Sequence, residues 1–174
     1  MKKFFFASFA MMLVLSLFFA SGAVSRASAD ESKVLEFNTM IGVSRPYTGA
    51  GNAIRGVPGG GLPWVIEFGK GKLSPDGKVD VLVKGLVFDP NDPIVIERGL
   101  GGINTVPNFK AIVSCLSKDA DGNATIVNVE TGLFPADATG NAHIKDSVDL
   151  PQPCIAPILF VTNPGGAWFA STGF

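Results

Sequence analysis

The chain has 174 residues, with 14 Lys and Arg against 15 Asp and Glu and a single histidine. Lys2, Lys3 and Arg26 fall in the first 29 positions, so residues 30–174 keep 11 basic against 15 acidic side chains, a net charge of −4. No run of Lys or Arg survives there, which predicts no nucleic-acid partner, and one histidine is too few for most metal sites.

Lys2 and Lys3 precede an apolar run from Phe4 to Ala20, followed by Ala27-Ser28-Ala29. A charged start, an apolar middle and a small-residue cleavage site make a secretory signal peptide over residues 1–29. The rival reading is a membrane anchor, since the run approaches spanning length. The cleavage site favours removal, and the sequence predicts a secreted or cell-envelope protein with no stable membrane insertion after processing. Residues 30–174 are of a size for one domain.

Val34 to Val43 reads as a first strand with an irregularity near Asn38. Ser44 to Gly61, with Pro46, Pro58 and six glycines, is a long irregular loop of the kind that is often functional. It carries Arg45, Tyr47 and Arg55. Leu62 to Phe68 reads as a strand with Trp64, Ile66 and Phe68 on one face, and Ser74-Pro75-Asp76-Gly77 as a tight reversal. Lys78 to Lys84 alternates Val79, Val81 and Val83 against Lys78, Asp80 and Lys84, which is the pattern of a half-buried strand continuing to Phe88. Pro93 to Glu97 is expected as a short edge strand.

Phe109 to Leu116 points Phe109, Ala111, Val113 and Cys115 inward. Residues 118–123 form a hairpin turn into Thr125–Val129. Asn141 to Leu150 places Ala142, Ile144, Val148 and Leu150 opposite His143, Lys145, Ser147 and Asp149. The final stretch is two apolar runs around Asn163-Pro164-Gly165-Gly166, a hairpin whose first strand, 155–161, has no polar face and belongs mid-sheet. Seven to nine short strands separated by turn signals predict an all-β fold, an antiparallel β-sandwich of immunoglobulin-like size. Cys115 and Cys154, the two cysteines of an exported chain, are expected to form a disulfide.

The candidate chemistry is sparse. His143 lies on the polar face of its strand. Asp119 and Asp121 resemble the start of a calcium loop but lack its later ligands, and Asp-Gly in a hairpin is explained by turn geometry. Asp146 falls on the apolar side of its strand and would be the acid of a hydrolase, unless a β-bulge turns it outward. Trp64 and Trp168 could stack on a sugar or peptide, although tryptophan in a sandwich more often fills the core. The terminal Phe174 and the chain length suit a small outer-membrane β-barrel as a further alternative.

The segments Gly59-Gly60-Gly61-Leu62-Pro63-Trp64-Val65-Ile66, Val113-Ser114-Cys115-Leu116, Cys154-Ile155-Ala156-Pro157-Ile158 and Gly165-Gly166-Ala167-Trp168-Phe169-Ala170 resemble those of uncharacterised exported bacterial proteins. That resemblance implies export and a small conserved domain, and supplies no site. The expectation is an exported, non-enzymatic binding or structural module with no cofactor, no metal and no catalytic residues. Its unknown extracellular ligand, glycan or protein, would meet Arg45, Tyr47, Arg55 and Trp64.

Overall fold

The computed structural model describes residues 33–172, so the signal-peptide reading of residues 1–29 lies outside the described residues. The order of elements is β1 (Leu35–Phe37), β2 (Ile41–Gly42), β3 (Trp64–Val65), β4 (Phe68–Leu73), β5 (Lys78–Lys84), β6 (Val87–Phe88) and α1 (Pro93–Glu97). Then follow β7 (Asn108–Lys118), β8 (Ala124–Glu130), β9 (Phe134–Pro135), β10 (Ala142–Ser147), β11 (Ile155–Thr162) and β12 (Trp168–Ser171). Sheet I has the order β1-β4-β5-β10 and sheet II the order β2-β12-β11-β7-β8, with β9 also on β7 and β3 paired to β6 as a ribbon. The pairings between strands are antiparallel. The result is the expected all-β sandwich, and the sheets do not close into a barrel. Among the described residues no helix is long and apolar enough to cross a membrane.

Alternation decides sheet I. In β5 the valines at 79, 81 and 83 are buried while Lys78 and Lys84 are exposed. Each such burial is worth about 1.5–3 kcal/mol, and a one-residue slip would expose all three at once, so the register is fixed. Leu73 of β4 and Ile144 of β10 complete the inner face. Across from it, Phe109, Ala111, Val113 and Cys115 of β7 join Leu159 and Val161 of β11 in the same core.

Strand β11 lies in the middle of sheet II, between β12 and β7. It is buried on both faces from Leu159 to Thr162, whereas Ile155 at its start is 55 % exposed. Four hairpin loops share one device. In Ser74–Lys78, Asp119–Asn123, Asp137–Asn141 and Asn163–Ala167 the first residue's N–H donates to the fifth carbonyl, and the fourth residue's N–H donates back to the first. Each has glycine in the left-handed region at the fourth place. This is the type I turn with a glycine bulge that joins antiparallel strands in three residues. At Gly77 a Cβ would also collide with the Val148 carbonyl, so that loop has two reasons to keep glycine.

Three expectations are corrected. Pro93–Glu97 is a helical turn and not an edge strand, because the Asp92 carboxylate accepts from the Ile94 and Val95 amides while Pro93 lacks the donor that needs no partner there. The run Leu62–Phe68 divides: Trp64–Val65 pairs with β6, and Phe68 begins β4 with its side chain exposed. Likewise β5 stops at Lys84; Gly85, in the left-handed region, turns the chain so that Val87–Phe88 leaves sheet I for β3. The irregularity near Asn38 is present and sends β1 and β2 to different sheets.

Candidate functional site

The long segment 44–61 is organised by its own hydrogen bonds. Gly49 N–H donates to Gly60 O, Gly59 N–H to Gly49 O, and Ile54 and Val57 exchange both backbone bonds. Gly60 N–H donates to Trp168 O and Trp168 N–H to Pro58 O, so the segment extends the edge of β12. Val57, Gly59 and Gly60 are buried. The segment is scaffold as much as loop.

Arg55 is held at its centre. Its backbone is in the left-handed region, with φ 49°, and its Nη1 donates to Ser114 O at 3.0 Å and to Ala156 O at 2.8 Å. The second carbonyl belongs to a bulge: between Ile155 and Ile158 strand β11 carries one residue more than β7, and Ala156 adopts φ 45°. A bulge removes a residue from the ladder, and the guanidinium replaces the lost donor. Asn128 Nδ2 donates in turn to Arg55 O at 3.0 Å, tying the segment to β8. The two non-glycine residues with left-handed backbone among the described residues are thus joined by one hydrogen bond.

Beside this clamp lies a groove of about 560 Å³. One wall is Glu36 to Thr39, the other Ala156 to Ile158, with Arg55 and Ile54 at the end. Among the described residues, strand β1 pairs on one side with β4 and on its other side with no strand, and β12 pairs with β11 as far as Phe160, with the Thr172 N–H just beyond it donating to Leu159 O. Two strand edges therefore border one groove. Next to it, Ile155, Leu116 and Ile126 stand in register on three adjacent strands and are 55 %, 40 % and 47 % exposed.

Of the four residues expected to meet a ligand, one is buried and two are engaged in structural hydrogen bonds. Arg45 binds Asp92 through Nε at 3.1 Å and Nη2 at 3.4 Å, bracing α1. Tyr47 is exposed. Arg55 is the clamp just described. Trp64 is withdrawn from the ligand surface: it is 2 % exposed, because β3 carries it inward onto Phe88 and Phe169. Trp168 is buried as well, against Phe160, so the two tryptophans offer no stacking platform. The groove walls at Asn38, Thr39 and Pro157 carried no signal in the sequence beyond the proline itself, since two short strand edges meet there through tertiary packing.

The carboxylates are structural. Asp146 sits in an unbroken stretch of register, with no bulge, and accepts from Gly132 N–H at 2.7 Å and Ser147 N–H at 2.9 Å. The Gly132 amide first, then that of Ser147, hold its pKa below the ordinary 3.8. A general acid needs the opposite shift. Asp119 accepts from the amides of Asp121 and Asn123 and from Asn123 Nδ2, chiefly the Asn123 backbone lowering its pKa. Asp137 does the same for Thr139 and Asn141, and the Asn141 amide above all lowers it to about 2. His143 Nε2 lies 2.7 Å from Asp80 Oδ1 on the exposed face of sheet I.

Two tests arise here. Arg55→Ala leaves two carbonyls without their donor and should cost about 1–2 kcal/mol in urea unfolding. Arg55→Gly loses the same bonds but also relieves the left-handed strain that alanine keeps, so it should be about 1 kcal/mol more stable than Arg55→Ala. Equal losses would remove the strain argument. In acid, carboxylates with lowered folded pKa contribute stability that is full above the unfolded value of 3.8 and lost as pH falls through the folded value. The melting temperature should therefore hold down to about pH 5 and fall from about pH 4 to about pH 2, less steeply in Asp146→Asn. A decline beginning near neutrality would contradict this.

Comparisons with protein-family models, with curated proteins and with solved structures gave no match for this chain.

Proposed function

We propose that the protein is an exported, non-enzymatic binding module that holds an extended protein segment in the groove beside Arg55. The observation that carries this reading is the meeting of two strand edges, β1 and the first half of β11, across one groove. An incoming strand can hydrogen-bond to such edges and place alternate side chains into the walls. Pro157, which has no N–H, keeps the β11 edge from pairing indiscriminately. The exposed row Ile155, Leu116 and Ile126 supplies apolar contact beyond the groove. Export rests on the charged and apolar leader and is supported by the Cys115–Cys154 disulfide, a bond kept in oxidising compartments.

The test is selection of displayed peptides on the full chain, followed by titration against Thr39→Trp. Thr39 is an exposed groove-wall residue, so the variant should melt like the parent. The reading expects enriched peptides with alternating apolar residues that lose at least about tenfold in affinity on Thr39→Trp. No enrichment, or affinity untouched by that substitution, would overturn it.

A further inference from the structure

Sheet I ends on strands β1 and β10, and sheet II on β2 and β8. Three of these edges are blunted. Strands β1 and β2 have three and two residues, and β10 carries Lys145 and Asp146. Short edge strands and charged side chains keep a sheet from pairing with other chains. Strand β8 is the exception. Ala124 to Glu130 has seven residues with one charge and no proline, and it keeps register with β7 along its whole length without a bulge.

The hydrogen bonds on either side of β8 fix which of its groups face outward. Asp119 N–H donates to Asn123 O at one end, and Thr131 N–H donates to Ala111 O at the other. Antiparallel pairs alternate between bonded and unbonded, so Thr125, Val127 and Val129 turn their amides and carbonyls to β7. The backbone groups of Ala124, Ile126, Asn128 and Glu130 point away from the sheet, and among the described residues no strand pairs with them. The side chains of these four are exposed, whereas those of Thr125, Val127 and Val129 are half-buried. Ile126, 47 % exposed, therefore stands in the middle of an open ladder.

We propose that β8 is the contact between two copies of this chain, joined antiparallel about a two-fold axis through Val127, so that sheet II continues from one copy into the other. In that register Ala124 meets Glu130 of the second copy and Ile126 meets Asn128. With the reciprocal pairs, every outward residue of both strands enters a bonded pair. On the half-buried face Val127 meets its own counterpart and Thr125 meets Val129, β-branched pairs of the kind that stabilise sheets. Charge selects the same register. Glu130, bound to Lys110 within its own copy, faces the neutral Ala124, and Lys118 stands one strand further on, in register with that alanine. Two strand spacings are about 10 Å, which extended Lys and Glu side chains bridge together. An axis at Ile126 would set Glu130 opposite Gly122, next to Asp121, and an axis at Asn128 would set it against Ile126. A second copy brings both the strand and the lysine of β7, whereas a free peptide brings only a strand.

Sedimentation equilibrium of the full chain should show monomer and dimer in exchange, and amide hydrogen exchange should report where the dimer forms. In dilute solution the amides of Ala124, Ile126, Asn128 and Glu130 should exchange freely while those of Thr125, Val127 and Val129 are protected; in concentrated solution both sets should be protected. Ile126→Lys places like charges beside the axis. It should melt like the parent where both are monomeric, since the side chain is exposed, and raise the dimer dissociation constant at least about tenfold. Lys118→Glu should also weaken the dimer, most of all at low salt. Ile96→Lys, at an exposed isoleucine of α1, should leave it unchanged. A chain that stays monomeric up to about 1 mM, a dimer whose four outward amides still exchange freely, or a dimer indifferent to Ile126→Lys would overturn the proposal. So would a monomer in which those amides are protected only by peptides selected for the groove, because the edge would then serve a foreign strand. Thr39→Trp, on the groove wall, should leave dimerisation unchanged, so the two readings fail separately.

Discussion

Trp64→Ala should be the most damaging single truncation in the chain, costing about 3–5 kcal/mol. Trp64 stacks on Phe169 with ring centroids 3.8 Å apart and an interplanar angle of 14°, and touches Phe88 at 4.2 Å. Phe169 then meets Phe109 edge-on at 5.9 Å, so one indole connects the β3–β6 ribbon to both strands β12 and β7. Its backbone is tied as well, Trp64 N–H donating to Val43 O at 2.8 Å. Even Gly60 is shaped to this cluster, since a Cβ there would press on the Phe169 ring at 2.9 Å. Against a total stability of about 5–15 kcal/mol, such a loss is severe. Val65→Ala, one residue along and 36 % exposed, should cost less than about 1 kcal/mol. Urea midpoints at unchanged slope would give both values. Similar costs at the two positions would place Trp64 on the surface after all.

Removing the Cys115–Cys154 bridge should have a comparable effect. The two cysteines are 39 residues apart, and closing a loop of that length lowers the entropy of the unfolded chain by roughly 4 kcal/mol, an upper figure. The bridge joins buried Cys115 of β7 to the residue preceding β11, at the end of β11 that carries the bulge. The double variant Cys115→Ala, Cys154→Ala should lose about 2–4 kcal/mol, and reductant should lower the melt of the parent but not of the variant. An unchanged parent melt in reductant would remove the bridge from the account.

Much of this architecture was legible because it follows from two local rules. Period-two alternation identified β5 and the inner face of β7, where Val79, Val81, Val83 and Phe109, Ala111, Val113, Cys115 are all buried. Turn chemistry identified the hairpins, whose glycines take the left-handed backbone. The errors lie where a side chain from elsewhere decides. Asp92 turns Pro93–Glu97 into a helix, and the pairing of Val87–Phe88 with Trp64–Val65 breaks two apparently continuous strands. The candidate sites were the least legible part. Arg55 was singled out for lying on a long loop, but its partners, the carbonyls of Ser114 and Ala156, are 59 and 101 residues away. Lys70, Lys72, Lys78, Lys84 and Lys145 meet on the outer face of sheet I for the same cause: three strands contribute them, and none is basic enough alone to mark it.

Amide hydrogen exchange on the full chain tests most directly whether segment 44–61 is folded scaffold that holds Arg55 against the β11 bulge. The amides of Gly49, Val57, Gly59 and Gly60, each donating to a named carbonyl, should be protected to a degree approaching that of Leu159 in β11. Arg55→Ala should lower that protection around residues 54–57 while leaving β5 unaffected. Exchange of the segment at unprotected rates in the parent protein would contradict the account and leave the groove without its end wall.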